Sequence, residues 1–280
     1  MSATVRSALA AATACLGEAG VEAGARDARA LMAAALGISA DRITLRLEEC
    51  PPRAHLRRFD TFIEQRLAHM PVSRILARRL FWGREFIVSP HVLDPRPETE
   101  VLIAAALGEG PCRRILDLGT GSGVIGVTLL AEWKDAVAVA TDISAEALEV
   151  ADANAARAGV GQRMEKLRSD WYERVAGGFD LVVSNPPYVT LDEFDKLPPE
   201  VRLHDPVVSL TDGGDGLSAF RLITAGLTHH LKPGGRVLVE IGPAQAAAVS
   251  DMFAGAGLDR IVVHQDLDGR DRVVGARMTA

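Results

Sequence analysis

From Arg113 onward, short apolar runs alternate with stretches of helical periodicity. Ile115-Leu116, Ala136–Ala140, Leu181–Val183 and Val237–Val239 read as strands buried on both faces rather than strands with one wet side. The helical stretches between them act as crossovers, so the chain is expected to form an α/β fold: a mostly parallel sheet with helices on both faces. Open sheets of this kind bind ligands beyond the carboxyl ends of their strands. The residues just past each apolar run therefore carry the functional information.

Three runs end in ligand-type residues. The first leads through Asp117-Leu118 into Gly119-Thr120-Gly121-Ser122-Gly123, and then into a helical pattern at Val124. Glycines permit positive φ and close ligand approach, and a helix start exposes N–H groups. Gly121, Gly123 and Gly126 satisfy the letters of the dinucleotide fingerprint, a weak signal by itself. The second run ends at Asp142, 19 positions after Gly123. That is close to the roughly 20 expected for an acidic residue on ribose hydroxyls, so a nucleoside with free 2′ and 3′ hydroxyls is implied. The third ends at Ser169-Asp170-Trp171, where a carboxylate and an indole suit the edge and face of an adenine.

A fourth run, Phe179–Ser184, flows into Asn185-Pro186-Pro187-Tyr188. Two prolines remove two backbone donors and fix φ, and each forces extended conformation on the residue before it. The corner is thus rigid and rich in acceptors: the Asn185 side-chain oxygen, the Pro186 carbonyl, and the flat ring of Tyr188 beside them. Such a corner suits a planar group bearing an NH2, held through both hydrogens and stacked on a ring. A rigid corner of this kind works by positioning, which can supply about 7–11 kcal/mol where single hydrogen bonds supply about 1.

Taken together, these motifs resemble those of class I S-adenosylmethionine-dependent methyltransferases. More narrowly, the chain is similar to the HemK family, which methylates the side-chain amide nitrogen of a glutamine in peptide-chain release factors. Further segments fit that family: Pro71–Leu76, Phe81-Trp82, Val88-Ser89-Pro90, Pro95–Glu100, Asp212–Leu217, Leu231–Gly235 and Asp268–Val274. Asp205-Pro206 stands where the family commonly has Glu-Pro. The resemblance implies a Rossmann-like methyltransferase domain with a seven-stranded, mostly parallel sheet and a small all-helical N-terminal domain. It implies S-adenosylmethionine as cofactor, with S-adenosylhomocysteine as product, bound by Gly119, Thr120, Gly121, Ser122, Gly123, Asp142, Ile143, Asp170, Trp171 and Asn185. Asn185, Pro186 and Tyr188 are implied as catalytic, and together with Pro187 they form the substrate corner. The partner implied is a release factor, through the glutamine of its Gly-Gly-Gln loop. No metal is implied.

The 280 residues are organised accordingly. Residues 1–70 read as a helical substrate-recognition domain. Val5, Leu9, Ala12 and Leu16 share one helix face, Asp27 is expected to cap a second helix, and Pro51-Pro52 opens another. Residues 71–97 read as a connector with a hairpin turning at Gly83, and residues 98–280 as the methyltransferase domain. Asp192–Pro206 reads as a long loop, a lid or substrate clamp. The arginines Arg53, Arg57, Arg58, Arg66, Arg74, Arg78 and Arg79 read as a solvated face or a contact for an acidic partner. Arg260–Val263 and Arg272–Val274 suggest an antiparallel pair at the sheet edge.

A net charge of −6 argues against a free duplex substrate held through phosphates. Cys15, Cys50 and Cys112 have neither metal-ligand nor disulfide-framework spacing, and are expected to be small buried hydrophobes in a reducing cytoplasm. No apolar run reaches the ~20 residues of a membrane span, and a monomer is expected. The alternative readings are an amino-methyltransferase acting on adenine or guanine in nucleic acid, a non-catalytic cofactor-binding module and, more distantly, a dehydrogenase.

Overall fold

The structure is a computed structural model and describes residues 3–279. It divides into two compact units. The first comprises the described residues up to Ala77 together with Pro198–His204; the second holds Arg78–Leu197 and the chain from Asp205 onward.

The first unit is helical. Its main helices are Val5–Glu18, Gly24–Leu36 and Arg53–Leu67, with the short helix Val72–Leu76 after them. The first buries Val5, Leu9, Ala12 and Leu16, one stripe at helical spacing. These pack with Leu31, Met32, Phe59 and Ile63 into a single core. Thr4 caps the first helix by accepting from the Ser7 N–H. Cys15 lies off the apolar stripe and is exposed, as is Cys50, which corrects the expectation of buried thiols.

Asp27 also departs from expectation. It sits inside the first turn of Gly24–Leu36, buried, rather than capping it. The reason is Arg66: its Nε donates to Asp27 Oδ2 at 2.8 Å, and its Nη2 donates to Glu200 on the returning helix Pro199–Arg202. Arg66 is therefore a buried structural cation and leaves the solvated basic face. The expected loop Asp192–Pro206 likewise contains two short helices, Leu191–Phe194 and Pro199–Arg202.

The second unit opens with a hairpin of β1 (Arg78–Phe81) and β2 (Arg84–Ile87). Its seven-stranded sheet contains β3 (Arg114–Leu118), β4 (Val137–Asp142), β5 (Met164–Arg168), β6 (Phe179–Ser184), β7 (Leu231–Glu240), β8 (Leu258–Gln265) and β9 (Asp271–Met278). The order across the sheet is β5-β4-β3-β6-β7-β9-β8. Pairs from β5 to β7 are parallel, and β9 runs antiparallel to both β7 and β8.

Alternation along each central strand feeds two cores, one per face. Ile115, Leu181, Val183 and Leu238 enter one; Leu116, Leu118, Val182, Val237 and Val239 enter the other. The strands are apolar throughout because both faces are covered. Among the described residues no helix is long and apolar enough to cross a membrane.

Register positions the site. Leu118 pairs with Thr141 on one side and Ser184 on the other, and Ser184 pairs with Val239. The next residues, Asp142, Gly119, Asn185 and Glu240, therefore leave the sheet side by side. The chain reverses direction of progress across the sheet at β3, flanked by β4 and β6, which is the switch point where open sheets bind ligands.

Candidate active site

A cavity of about 390 Å³ opens over these strand ends, within the range of small-molecule sites. Of the residues singled out from sequence, Gly119, Thr120, Gly121, Ser122, Asp142, Ile143, Asp170, Trp171, Asn185 and Pro187 line it. Gly123, Pro186 and Tyr188 are not among its lining residues. Of the proline corner, Asn185 and Pro187 face the same hollow as the glycine loop and Asp142.

Gly123 is a packing glycine. It caps the helix Val124–Glu132 at φ +82°, and a Cβ there would lie 3.2 Å from both Cα and Cβ of Ala151. Gly126 allows close approach of a different kind. Its N–H donates to Asp117 Oδ2 at 3.0 Å, and a Cβ would stand 3.0 Å from that same oxygen. Thr120 Oγ1 donates to Asp117 Oδ2 as well, at 2.7 Å. The Asp117 carboxyl is fully buried, and burial pushes its pKa up to about 6 against those two hydrogen bonds.

Three of the loop's N–H groups are spent inside the protein. Thr120 donates to the Thr141 carbonyl, Gly121 to Asp142 Oδ2, and Gly123 to the Thr120 carbonyl. A dinucleotide site needs the reverse, with free N–H groups at the helix start aimed at a pyrophosphate. Here a buried carboxyl occupies that start. Asp117 Oδ1 is buried with no partner among the described residues. Asp117 does not itself line the cavity; it holds the glycine loop and the helix start in place.

Asp142 is fixed by two backbone donors, Gly121 N–H at 2.9 Å to Oδ2 and Ser144 N–H at 3.0 Å to Oδ1. Burial raises its pKa, and the backbone donors oppose the rise. Each oxygen keeps a second lone pair, the arrangement a vicinal diol requires. Beside it Ile143 is 52% exposed on the cavity wall, an apolar surface free to cover a flat base. Trp171 sits at positive φ (43°) and packs against the second core while lining the cavity. Asp170 is exposed at the same wall.

The corner is braced from behind. Asn185 Nδ2 donates to Thr99 Oγ1 at 3.2 Å, and Thr99 Oγ1 donates to Glu240 Oε2 at 2.6 Å. The Tyr188 hydroxyl donates to Glu240 Oε1 at 3.2 Å. Glu240 is fully buried, and burial lifts its pKa to about 7 although Thr99 and Tyr188 stabilise the charge. The Tyr188 phenol is pushed upward by burial and by the neighbouring Glu240 charge.

The chain is similar to known proteins. Residues 89–214 match the family model for the methyltransferase small domain, and residues 7–76 match that for the PrmC N-terminal domain. A release factor glutamine methyltransferase from Cereibacter sphaeroides is 52% identical over 273 residues, covering 98% of both chains. One from Agrobacterium fabrum is 43% identical over 282 residues, again covering 98% of each. The chain belongs to the release factor glutamine methyltransferase family. A solved methyltransferase from Pyrococcus furiosus shares the fold with a TM-score of 0.50 at 16% identity, over 67% of this chain and 89% of that one.

Several site residues of this release factor glutamine methyltransferase family member escape a reading of strand ends. Glu240 has a visible signal: it is the one charge within Val237–Ile241, in a strand that is buried on both faces. Thr99 sits in the 3₁₀ turn Pro97–Thr99 and reaches the corner only through tertiary packing. The far wall comes from Pro206, Val208, Ser209 and Thr211 with Asp212 and Leu222. Asp212 organises its own loop, accepting from the N–H groups of Gly214, Gly216 and Ser218. Asp205 is buried; it accepts from the Asp94 N–H at 3.2 Å and from Arg96 Nη2, tying the wall segment 94–96 to Pro206.

Proposed function

We propose that this chain transfers the methyl group of S-adenosylmethionine to the side-chain amide nitrogen of the glutamine in the Gly-Gly-Gln loop of peptide-chain release factors. Its relatives of 52% and 43% identity carry the name release factor glutamine methyltransferase across nearly their whole length. The observation that carries the reading is the shared cavity: the donor-poor Asn185 corner faces the same space as the glycine loop and the Asp142 carboxylate.

The residues present suit the cofactor. Asp142 would take the ribose hydroxyls, Ile143, Asp170 and Trp171 the adenine, and the loop Gly119–Ser122 the aminoacyl end, with the orphan Asp117 oxygen behind it. When bound, S-adenosylmethionine supplies an electrophilic methyl carbon on a positively charged sulfur. Asn185 Oδ1 and the Pro186 carbonyl accept the two N–H bonds of the substrate amide. Held so, the nitrogen keeps its lone pair along the line of attack. The two prolines and the Glu240 bond to Tyr188 stop the corner from relaxing. Catalysis then comes chiefly from orientation.

An exocyclic base amine offers a similar NH2, yet family membership and the net charge of −6 favour a protein amide. The test is direct. Purified release factor, total RNA and DNA, and methyl-labelled S-adenosylmethionine are incubated with the enzyme, the label is partitioned between protein and nucleic acid, and the labelled protein is mapped by peptide mass. Label on the Gly-Gly-Gln glutamine is expected. Label on nucleic acid, with none on the factor, refutes the assignment.

A further inference from the structure

We propose that Thr99 and Glu240 are positioning residues that set which end of the Asn185 amide meets the substrate; the proposal rests on the methyl-transfer reading. Hydrogen-bond polarity dictates the orientation. Above about pH 7 Glu240 is mainly ionised and then only accepts, and a threonine hydroxyl has a single proton. Thr99 gives that proton to Glu240 Oε2 at 2.6 Å. Toward Asn185, 3.2 Å away, Thr99 Oγ1 is then able only to accept. Asn185 must turn its NH2 to Thr99, which leaves Oδ1 as the end of the amide available to the cavity that Asn185 lines.

The reversed amide would oppose a carbonyl to an oxygen with no proton to give. It would also meet the substrate with a donor where an acceptor is needed. Tyr188 donates to the second carboxylate oxygen at 3.2 Å, so both ends of Glu240 are committed. Glu98 and Arg272 are the other charged groups that bear on Glu240, with opposite effects. Three separate elements thus cooperate: the turn at Thr99, the end of β6 and the end of β7. The result is also a specificity device. A corner locked as acceptor takes a glutamine NH2 and repels a glutamate carboxylate.

Thr99→Val keeps the shape and removes the relay, Thr99→Ser restores it, and Glu240→Gln keeps the shape but allows an N–H to face Thr99. Each is assayed with release factor and S-adenosylmethionine by steady-state kinetics, with cofactor affinity measured separately. Thr99→Val is expected to lose about 10- to 100-fold in kcat, the scale of a misplaced reacting group. KM for the factor and cofactor Kd should stay within about twofold, the signature of an interaction felt only in the transition state. Thr99→Ser should recover most of the loss. Glu240→Gln should lower kcat at least about fivefold with the same unchanged affinities, and it decides the matter if Thr99→Val does not fold. The proposal is overturned if kcat in the folded variants stays within about twofold of wild type, if the loss sits in KM or cofactor affinity, or if Thr99→Ser is no better than Thr99→Val. A wild-type enzyme that fails to label the factor would sink the functional reading. A wild type that labels it, beside a Thr99→Val variant of equal speed, sinks only the positioning role.

Discussion

Burying Glu240 has a thermodynamic consequence that can be measured without any substrate. Its carboxyl is fully buried, and burial raises its pKa from 4.5 to about 7. An acid raised in this way is easier to keep folded when protonated. Its contribution to stability is complete below the unfolded value near 4.5 and is lost as pH rises through about 7. The whole shift corresponds to about 3 kcal/mol, most of it between about pH 5 and 8. Glu240→Gln removes the titration and keeps the volume. Any fixed offset from the new amide does not vary with pH, so the informative quantity is the difference between wild type and variant. Urea unfolding at a series of pH values gives it. Relative to the variant, the wild type should lose about 3 kcal/mol on going from acid to alkaline conditions. The same substitution is expected to slow catalysis, so stability gained at high pH and rate lost would come from one atom's change. A difference that stays flat across that range would refute the claim that Glu240 is a costly buried charge kept for the site.

The geometry fixes three further outcomes. Asn185→Ala removes the proposed acceptor of the corner: kcat should fall roughly 100-fold or more while cofactor binding stays measurable by calorimetry. Asp142→Asn places an amide NH2 against the Gly121 or Ser144 donor, and should weaken cofactor binding about 10- to 100-fold in the same measurement; unchanged affinity would remove Asp142 from the ribose. Gly123→Ala combines a positive φ with contacts of 3.2 Å to Ala151, and should cost about 2–4 kcal/mol in chemical denaturation, a loss under about 0.5 being incompatible with this packing.

The parallel sheet was legible because its strands are apolar on both faces, and Ile115 and Leu116 do feed opposite cores. The hairpin was legible from Gly83, and the helical stripe Val5-Leu9-Ala12-Leu16 from its spacing. Strand-end residues were legible because parallel strands deliver them to one edge, where Gly119, Asp142 and Asn185 fall in register. Residues that act through long-range pairing were hidden. Asp27 has the letters of a cap, and only Arg66, 39 positions away, shows it to be a buried ion pair. Cys15 has the composition of a core residue and the phase of a surface one. Thr99 and Glu240 lie 141 positions apart, and their hydrogen bond is invisible to any local pattern. The helix start after Gly123 promised open N–H groups, yet Asp117 takes the one at Gly126 from behind. Periodicity reads faces; it does not read which partner satisfies a buried polar group.

We propose one arrangement as central: a glutamine amide held by acceptors at Asn185 and Pro186, in the cavity that would also hold the nucleoside. The structure of the enzyme bound to S-adenosylhomocysteine and a Gly-Gly-Gln peptide measures it directly. The glutamine nitrogen should lie within about 3.2 Å of both Asn185 Oδ1 and the Pro186 carbonyl. A glutamine seated elsewhere in the cleft, or one met by the Asn185 NH2 instead of its oxygen, would contradict it.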